Sequence, residues 1–230
     1  MPQYLAEIEK NLFTMQKEEA RHLKVARIHT GAEIKVFDGK GNKYLALLSQ
    51  LTDKSACGEI IKTLQAPNLK RAVHLYFSAV ARAAAEDIID KCTQAGVSRF
   101  VPVLSRYSEK DLLKKWSTKH ERWNQLALAA CKQCENPSVP IIEEPVTFED
   151  AVKNLSVPAL ICYEDERKTP LLSELNALGG EAAIFIGPEG GYAEEEVALA
   201  KKYNIKPVTL GQNILRAETA AAVACWAAQQ

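Results

Sequence analysis

Net charge is the first thing this sequence lacks: 29 Lys and Arg stand against 29 Asp and Glu in 230 residues. A uniformly basic nucleic-acid binder is excluded on that balance. Long apolar runs are missing too. No stretch approaches the ~18–20 consecutive apolar residues of a membrane-spanning helix, and Met1-Pro2-Gln3-Tyr4 is not a basic segment leading into an apolar one. The expectation is a cytoplasmic protein with no membrane association. Cysteine is present but sparse, at Cys57, Cys92, Cys131, Cys134, Cys162 and Cys225, which excludes a disulfide scaffold and implies reduced thiols. Cys131-Lys132-Gln133-Cys134 is a single CxxC. No second CxxC accompanies it, and none of His22, His29, His74 and His120 stands at finger spacing from it, so no metal site is expected. A helix would instead put Trp123, Leu126, Ala127, Ala130, Cys131 and Cys134 on one core face.

What is there describes an ordinary globular chain, 47% hydrophobic and 25% charged, long enough for one large domain or two small ones. Its charge is polarised. Residues 1–135 hold 22 basic against 15 acidic side chains, and residues 136–230 hold 7 against 14. A polyanion would meet the first part, and the acidic last part suits a neutral or cationic ligand.

Up to about residue 66 the apolar runs are short. Ala32–Phe37 ends in Asp38-Gly39-Lys40-Gly41-Asn42, and Tyr44–Leu51 ends in Thr52-Asp53-Lys54-Ser55. Such hairpin chemistry predicts a small β-barrel or sandwich over 1–68, with one helix near Lys17–Ile28. After the Ala66–Lys70 linker the rhythm over 71–230 becomes α/β. Strands are expected at Val73–Val80, Phe100–Leu104, Val139–Ile142, Ala159–Tyr163, Ala182–Ile186 and Pro207–Leu210. Helices are expected at Ala83–Ala95, Lys119–Cys134, Phe148–Leu155, Leu171–Leu178, Glu194–Tyr203 and Ala217–Ala228. Alternation of this kind builds a mostly parallel sheet covered on both faces. Ligands of such sheets gather at the carboxyl ends of strands, here the loops after Tyr163, Ile186 and Leu210.

Two of those loops carry information. Gly187-Pro188-Glu189-Gly190-Gly191 turns from a strand into a helix that begins Glu194-Glu195-Glu196. It matches neither G-x-G-x-x-G nor the Walker pattern, Pro188 removes an amide, and three glutamates oppose a phosphate, so a neutral or cationic ligand fits better. A plain tight turn is the alternative. The second loop is Leu210-Gly211-Gln212-Asn213-Ile214-Leu215-Arg216-Ala217-Glu218-Thr219-Ala220, where Arg216 and Glu218 form either chemistry or a local ion pair at a helix start.

Together the two loops resemble the C-terminal signature of the SPOUT-superfamily enzymes that methylate N3 of a uridine in small-subunit (16S) ribosomal RNA, the ribosomal RNA small subunit methyltransferase E family. The resemblance spans the chain. His22-Leu23-Lys24-Val25, Arg27, Gly31 and Val36-Phe37-Asp38-Gly39 are similar to that family's PUA-like RNA-binding barrel. Ile88-Ile89-Asp90-Lys91-Cys92, Gly96-Val97, Pro102, Arg106-Tyr107-Ser108, Arg122-Trp123 and Gln133 track its middle segment. Departures lie elsewhere, at Gln3-Tyr4-Leu5, Ala81-Arg82, Gln94-Ala95 and Asn136.

The resemblance implies S-adenosylmethionine bound in a C-terminal deep trefoil knot. The residues it places around the cofactor are Leu160, Ile161, Cys162, Gly187, Pro188, Glu189, Gly190, Gly191, Leu210, Gly211, Ile214, Leu215, Arg216, Thr219 and Ala220. Uracil N3 is a poor nucleophile until its proton leaves, so Arg216 is expected to stabilise the uracil anion and Glu218, or Glu189, to take the proton. Arg21, Lys24, Arg27, Arg82, Arg106, Lys114, Lys115 and Arg122 are the expected phosphate contacts and Tyr107 a base-stacking surface. A homodimer is implied, closed by the small-residue helix Ala217–Ala228. Three alternatives stay open: a methyltransferase of this superfamily acting on another rRNA or tRNA site, a non-catalytic RNA-binding or assembly protein, and an ordinary nucleotide-binding α/β enzyme.

Overall fold

The computed structural model describes residues 3–109, 114 and 116–230. They form two compact units, Met1–Asn68 with Leu128–Val139, and Leu69–Ala127 with Pro140–Gln230.

In the first unit, β1 (Gln3–Leu5), β2 (Glu7–Glu9), β3 (Leu12–Met15), α1 (Lys17–Val25), β4 (Glu33–Phe37), β5 (Lys43–Leu51) and β6 (Ala56–Leu64) follow in sequence. Their single sheet has the order β1-β4-β5-β6-β3-β2, with β1 parallel to β4 and the remaining pairs antiparallel. Period-two patterning decides which side faces in. Ile34 and Val36 are fully buried with Phe13, Leu23 and Leu48, while Lys35 between them points away. The Asp-Gly turn forms as its residues demand, because the Asp38 carboxylate accepts the amides of Lys40 (2.8 Å) and Asn42 (3.0 Å). Helix α1 stops where Arg27 enters the left-handed region (φ 56°) and the Ile28 amide returns to the Leu23 carbonyl.

Residues 128–139 are fastened to this unit by polar contacts. The buried Gln3 amide donates to the carbonyls of Cys131 (3.0 Å) and Asn136 (2.9 Å). Lys35 bonds both Glu135 oxygens, and Lys132 meets the buried Glu19. Cys131 is fully buried, its thiol pushed up to about 12 by burial. Among the described residues, no group of three or more His, Cys, Asp or Glu is placed to hold a metal.

The second unit runs β7 (Ala72–Ser78), α2 (Arg82–Gln94), β8 (Val97–Leu104), α3 (Trp116–Cys134, whose last turns belong to the first unit), β9 (Ile141–Ile142), β10 (Val146–Thr147), α4 (Phe148–Lys153), β11 (Ala159–Cys162), α5 (Leu171–Asn176), β12 (Glu181–Ile186), α6 (Glu194–Lys202), β13 (Lys206–Val208) and α7 (Ala217–Ala227). The sheet order is β10-β8-β7-β12-β11-β13, with β9 also on β8, and every pair is parallel. The continuous apolar run Ala182–Ile186 is explained by burial on both faces. Ile184 and Ile186 pack with α2 and α7, and Ala183 and Phe185 pack with Phe148 of α4 and Val197 of α6.

Three differences from the sequence expectations have local causes. The strand expected at Val139–Ile142 shrinks to Ile141–Ile142 because the Val139 amide is taken by the Gly39 carbonyl. The strand expected to reach Leu210 ends at Val208, where the Thr209 hydroxyl captures the Gly211 amide. The alanine face of α7 does not wait for a second copy. Ala221, Ala224 and Ala228 are fully buried in the unit's own core, and the outward face carries Val223 and Trp226, 41% and 61% exposed. Among the described residues, no helix is long and apolar enough to cross a membrane.

Candidate functional site

The carboxyl ends of the three adjacent strands β12, β11 and β13 open onto a cavity of about 420 Å³. It is the place that strand order favours for a ligand, and its size is that of a small-molecule site. Three loops and the first turn of α7 wall it. Of the residues expected at a cofactor, Cys162, Gly187, Pro188, Glu189, Gly190, Gly191, Leu210, Gly211, Ile214, Leu215, Arg216 and Ala220 all line it. Leu160 and Ile161 do not. They sit below in the sheet, buried in the cores on its two faces. Thr219 is exposed on α7, away from the cavity wall.

The glycine-rich loop is shaped by what lies against it. A β-turn closes with the Gly191 amide on the Pro188 carbonyl (2.9 Å). A Cβ at Gly187 would stand 3.3 Å from the ring of the buried Tyr192, so a side chain here would press on that ring. Gly190 faces Tyr107, whose Cβ would lie 3.1 Å from an added Cβ. Gly191 is the conformationally demanding position, with φ 71°, and a Cβ there would fall 1.8 Å from a Glu164 carboxylate oxygen. The result is bare backbone facing the cavity. Cys162 on the opposite wall has its thiol pushed up to about 12 by burial, which leaves it neutral at pH 7.

Two of the three acidic residues at the start of α6 are engaged. Glu196 accepts the Ala193 amide at the helix N-terminus (3.0 Å) and also the Arg106 amide (2.9 Å). Glu195 pairs with the Arg106 guanidinium at 3.1 Å. Backbone hydrogen bonding and the Arg106 charge hold the Glu195 carboxyl below the usual range. The loop is thereby set so that Tyr107, 54% exposed, stands beside Gly190. Arg216 caps α7 in extended conformation, is exposed and lines the cavity. Glu218 is half-buried in the first turn of α7 and is not a cavity residue; its charge acts on Lys91 of α2.

Several of the expected phosphate contacts are paired with carboxylates. Arg21 and Arg27 are exposed on and after α1. Lys24 pairs with Asp53. Arg82 and Arg122 share Glu86, at 2.8 Å and at 2.6 and 2.7 Å. Lys114 is exposed, and Lys115 lies outside the described residues. The Arg122 and Arg82 hydrogen bonds pull the Glu86 carboxyl down to about 2. A depressed carboxyl contributes stability above its unfolded value and loses it as pH falls through the folded one. Glu86→Gln is therefore expected to lower the urea midpoint at pH 7 and to leave it nearly unchanged at pH 2. Parallel urea titrations at the two pH values check this, and equal losses at both would refute it.

Sequence reasoning passed over Glu164 and Arg167, which also line the cavity. The rule of strand ends pointed to the loop that holds them, but no glycine or recurrent spacing marked either residue.

Comparison with known proteins adds to this geometry. A family model described as an RNA methyltransferase domain matches residues 67–229, and one described as an RNA methyltransferase PUA domain matches residues 16–61. The ribosomal RNA small subunit methyltransferase E of Synechocystis is 32% identical over 97% of this chain and 73% of its own. The protein of the same name from Bacillus subtilis is 28% identical over 96% and 93%. The crystal structure of a ribosomal RNA small subunit methyltransferase E from Neisseria gonorrhoeae bound to S-adenosyl methionine is similar at a TM-score of 0.90 and 27% identity, covering 100% of this chain and 97% of that one.

Proposed function

This chain belongs to the ribosomal RNA small subunit methyltransferase E family of RNA methyltransferases, and from that premise we propose that it methylates N3 of a uridine in small-subunit ribosomal RNA with S-adenosylmethionine. The observation that carries the reading is the cavity of about 420 Å³ at the ends of β12, β11 and β13, walled by glycine backbone. It fits the cofactor chemically. Bare amides and carbonyls suit an adenosine edge, while Pro188 and the three glutamates that open α6 disfavour a phosphate. In this reading the chain around the cavity is threaded as a trefoil knot, and the protein works in the cytoplasm.

When bound, S-adenosylmethionine supplies an electrophilic methyl group. The chain must do the rest. It has to hold the uracil edge at roughly 3–3.5 Å in line with that methyl and make N3 nucleophilic. Arg216, at the cavity wall, faces the charge that develops on O2 and O4 as the N3 proton leaves. In this reading Glu189, also at the wall, accepts that proton. Glu218 is left to the N-terminal turn of α7, where its charge favours the helix dipole.

The RNA lies across basic side chains, with Arg21 and Arg27 giving charge that is unshared among the described residues and Tyr107 a stacking face beside the glycine loop. The Arg82–Glu86–Arg122 group keeps one net positive charge for phosphate. A second copy of the chain covers Val223 and Trp226 on α7, where exposed apolar side chains otherwise face water. Trp226→Glu is expected to turn a dimer into a monomer in sedimentation velocity at micromolar concentration, and an unchanged sedimentation coefficient would remove this face from the interface.

The function itself is tested by nucleoside mass spectrometry of small-subunit ribosomal RNA from cells lacking this gene. Loss of 3-methyluridine, restored by the purified protein with S-adenosylmethionine, is expected. An unchanged 3-methyluridine content with a different methylated nucleoside missing would assign another RNA site.

A further inference from the structure

Four charged side chains line the cavity: Glu164, Arg167, Glu189 and Arg216. Two of them, Glu164 and Arg167, come from the one loop between β11 and α5 and have no part in the chemistry described so far. That loop is firmly built. The Glu166 carboxylate accepts the amides of Lys168 (2.8 Å) and Thr169 (3.0 Å), and the Glu166 amide returns to the Tyr163 carbonyl. Its far end is strapped to the end of β13, with the Thr209 amide on the Thr169 carbonyl (2.8 Å) and the Leu171 amide on the Thr209 carbonyl (3.0 Å). Glu164 and Arg167 thus stand on either side of a fixed turn at the cavity edge.

Neither charge is spent elsewhere among the described residues. Arg167 reaches only the Gln212 carbonyl, at 3.5 Å, which leaves most of its donors unused. Glu164 forms no ion pair and no hydrogen bond among them, although its carboxylate lies against the Gly191 backbone. Opposite charges three residues apart on a turn would ordinarily pair with each other. Here they do not, and each faces the same cavity. A positive and a negative group held separately at one wall match a ligand segment with one pole of each sign.

We infer that Glu164 and Arg167 recognise the zwitterionic amino-acid tail of the bound S-adenosylmethionine, Glu164 accepting from the α-ammonium and Arg167 donating to the α-carboxylate. The inference rests on the cofactor reading of the cavity. It accounts for the absence of a side chain at position 191, since any Cβ there would displace the carboxylate that takes the ammonium. It also leaves the adenosine to the glycine backbone and Arg216 to the RNA base, so the charged groups at the wall are divided between two partners.

Equilibrium binding of three ligands to the full chain tests it: S-adenosylmethionine, S-adenosylhomocysteine, which keeps the tail without the sulfonium charge, and 5′-methylthioadenosine, which lacks both. Glu164→Gln and Arg167→Gln are each expected to weaken the two tail-bearing ligands about tenfold, the scale of a lost charged hydrogen bond, and to leave methylthioadenosine within about twofold. Retained methylthioadenosine binding also shows that each variant is folded. Equal losses on all three ligands would place the pair at the nucleoside or in the loop's own fold and overturn the inference. A loss confined to S-adenosylmethionine would make Glu164 a sensor of the sulfonium, and no loss at all would make both residues solvated charges; either result overturns it. Wild-type protein that binds none of the three would instead refute the cofactor reading on which the inference stands.

Discussion

Gly191→Ala is expected to weaken S-adenosylmethionine binding by more than tenfold while the chain stays folded. Two effects add at this position. An L-residue held at φ 71° costs about 1–3 kcal/mol, which by itself is about fivefold to a hundredfold if the loop must adopt this conformation to bind. The new methyl group also falls 1.8 Å from the Glu164 carboxylate. That clash is relieved by swinging a flexible side chain, and the swing removes a charge from the cavity wall. The unliganded loop escapes the strain by relaxing, so the thermal midpoint should change little and the loss should appear in affinity. Gly211→Ala separates the two effects, because Gly211 also has positive φ (127°) but nothing lies within 4 Å of an added Cβ. Any loss in Gly211→Ala therefore reports backbone strain without a clash. Gly190→Val acts by a third route, pressing on the Cβ of Tyr107 at 3.1 Å, and should disturb the RNA-facing loop together with the cofactor. Calorimetric titration of the three variants decides. An affinity for Gly191→Ala equal to that of the wild type would detach the glycine loop from cofactor binding.

The layout of these loops is largely legible in the sequence. Strand-end position, the departure from phosphate-binding patterns and the apolar run Ala182–Ile186 all act within a few residues, and local sequence reports them well. The sequence left Gly190 and Gly191 indistinguishable, because which glycine takes positive φ depends on the Pro188 turn and on Tyr107 and Glu164, which come from other parts of the chain. The family resemblance implies Thr219 and Leu160 at the cofactor, and neither lines the cavity. Proximity along the chain to Ala220 and Cys162 does not say which way a side chain points, and the strand's alternation turns Leu160 and Ile161 into the two cores. Similarly, an alanine-rich helix face reads the same whether it packs on its own sheet or on another copy. Only the buried Ala221 and Ala224 beside the exposed Trp226 tell the two apart. The short strand β10 is not legible in the sequence, because two residues carry no periodicity.

Arg216→Ala should lower the single-turnover rate of methyl transfer by about 10²–10³ at saturating RNA and cofactor, with RNA affinity close to that of the wild type. Removing a proton from uracil N3 leaves an anion spread over O2 and O4. A fixed guanidinium opposite those oxygens stabilises the transition state more than the neutral ground state, and only that difference accelerates the chemical step. Position supports the assignment, since Arg216 caps α7 at the cavity wall, exposed and open to an RNA base. Glu218 is the internal comparison. It sits in the first turn of the same helix but away from the cavity wall, and Glu218→Gln should leave the rate within a few-fold while slightly destabilising α7. Arg21→Ala with Arg27→Ala provides the opposite signature. Phosphate contacts act on complex formation, so that pair should weaken RNA binding and flatten its salt dependence, with the saturated rate unchanged. Rapid-quench kinetics on the three variants, with RNA affinity measured at two or more salt concentrations, separates the roles. A normal saturated rate for Arg216→Ala would leave Arg216 an exposed side chain at the N-cap position of α7 with no part in the chemistry, and a rate loss in Glu218→Gln of the size expected for Arg216→Ala would move the proton acceptor from Glu189 to Glu218.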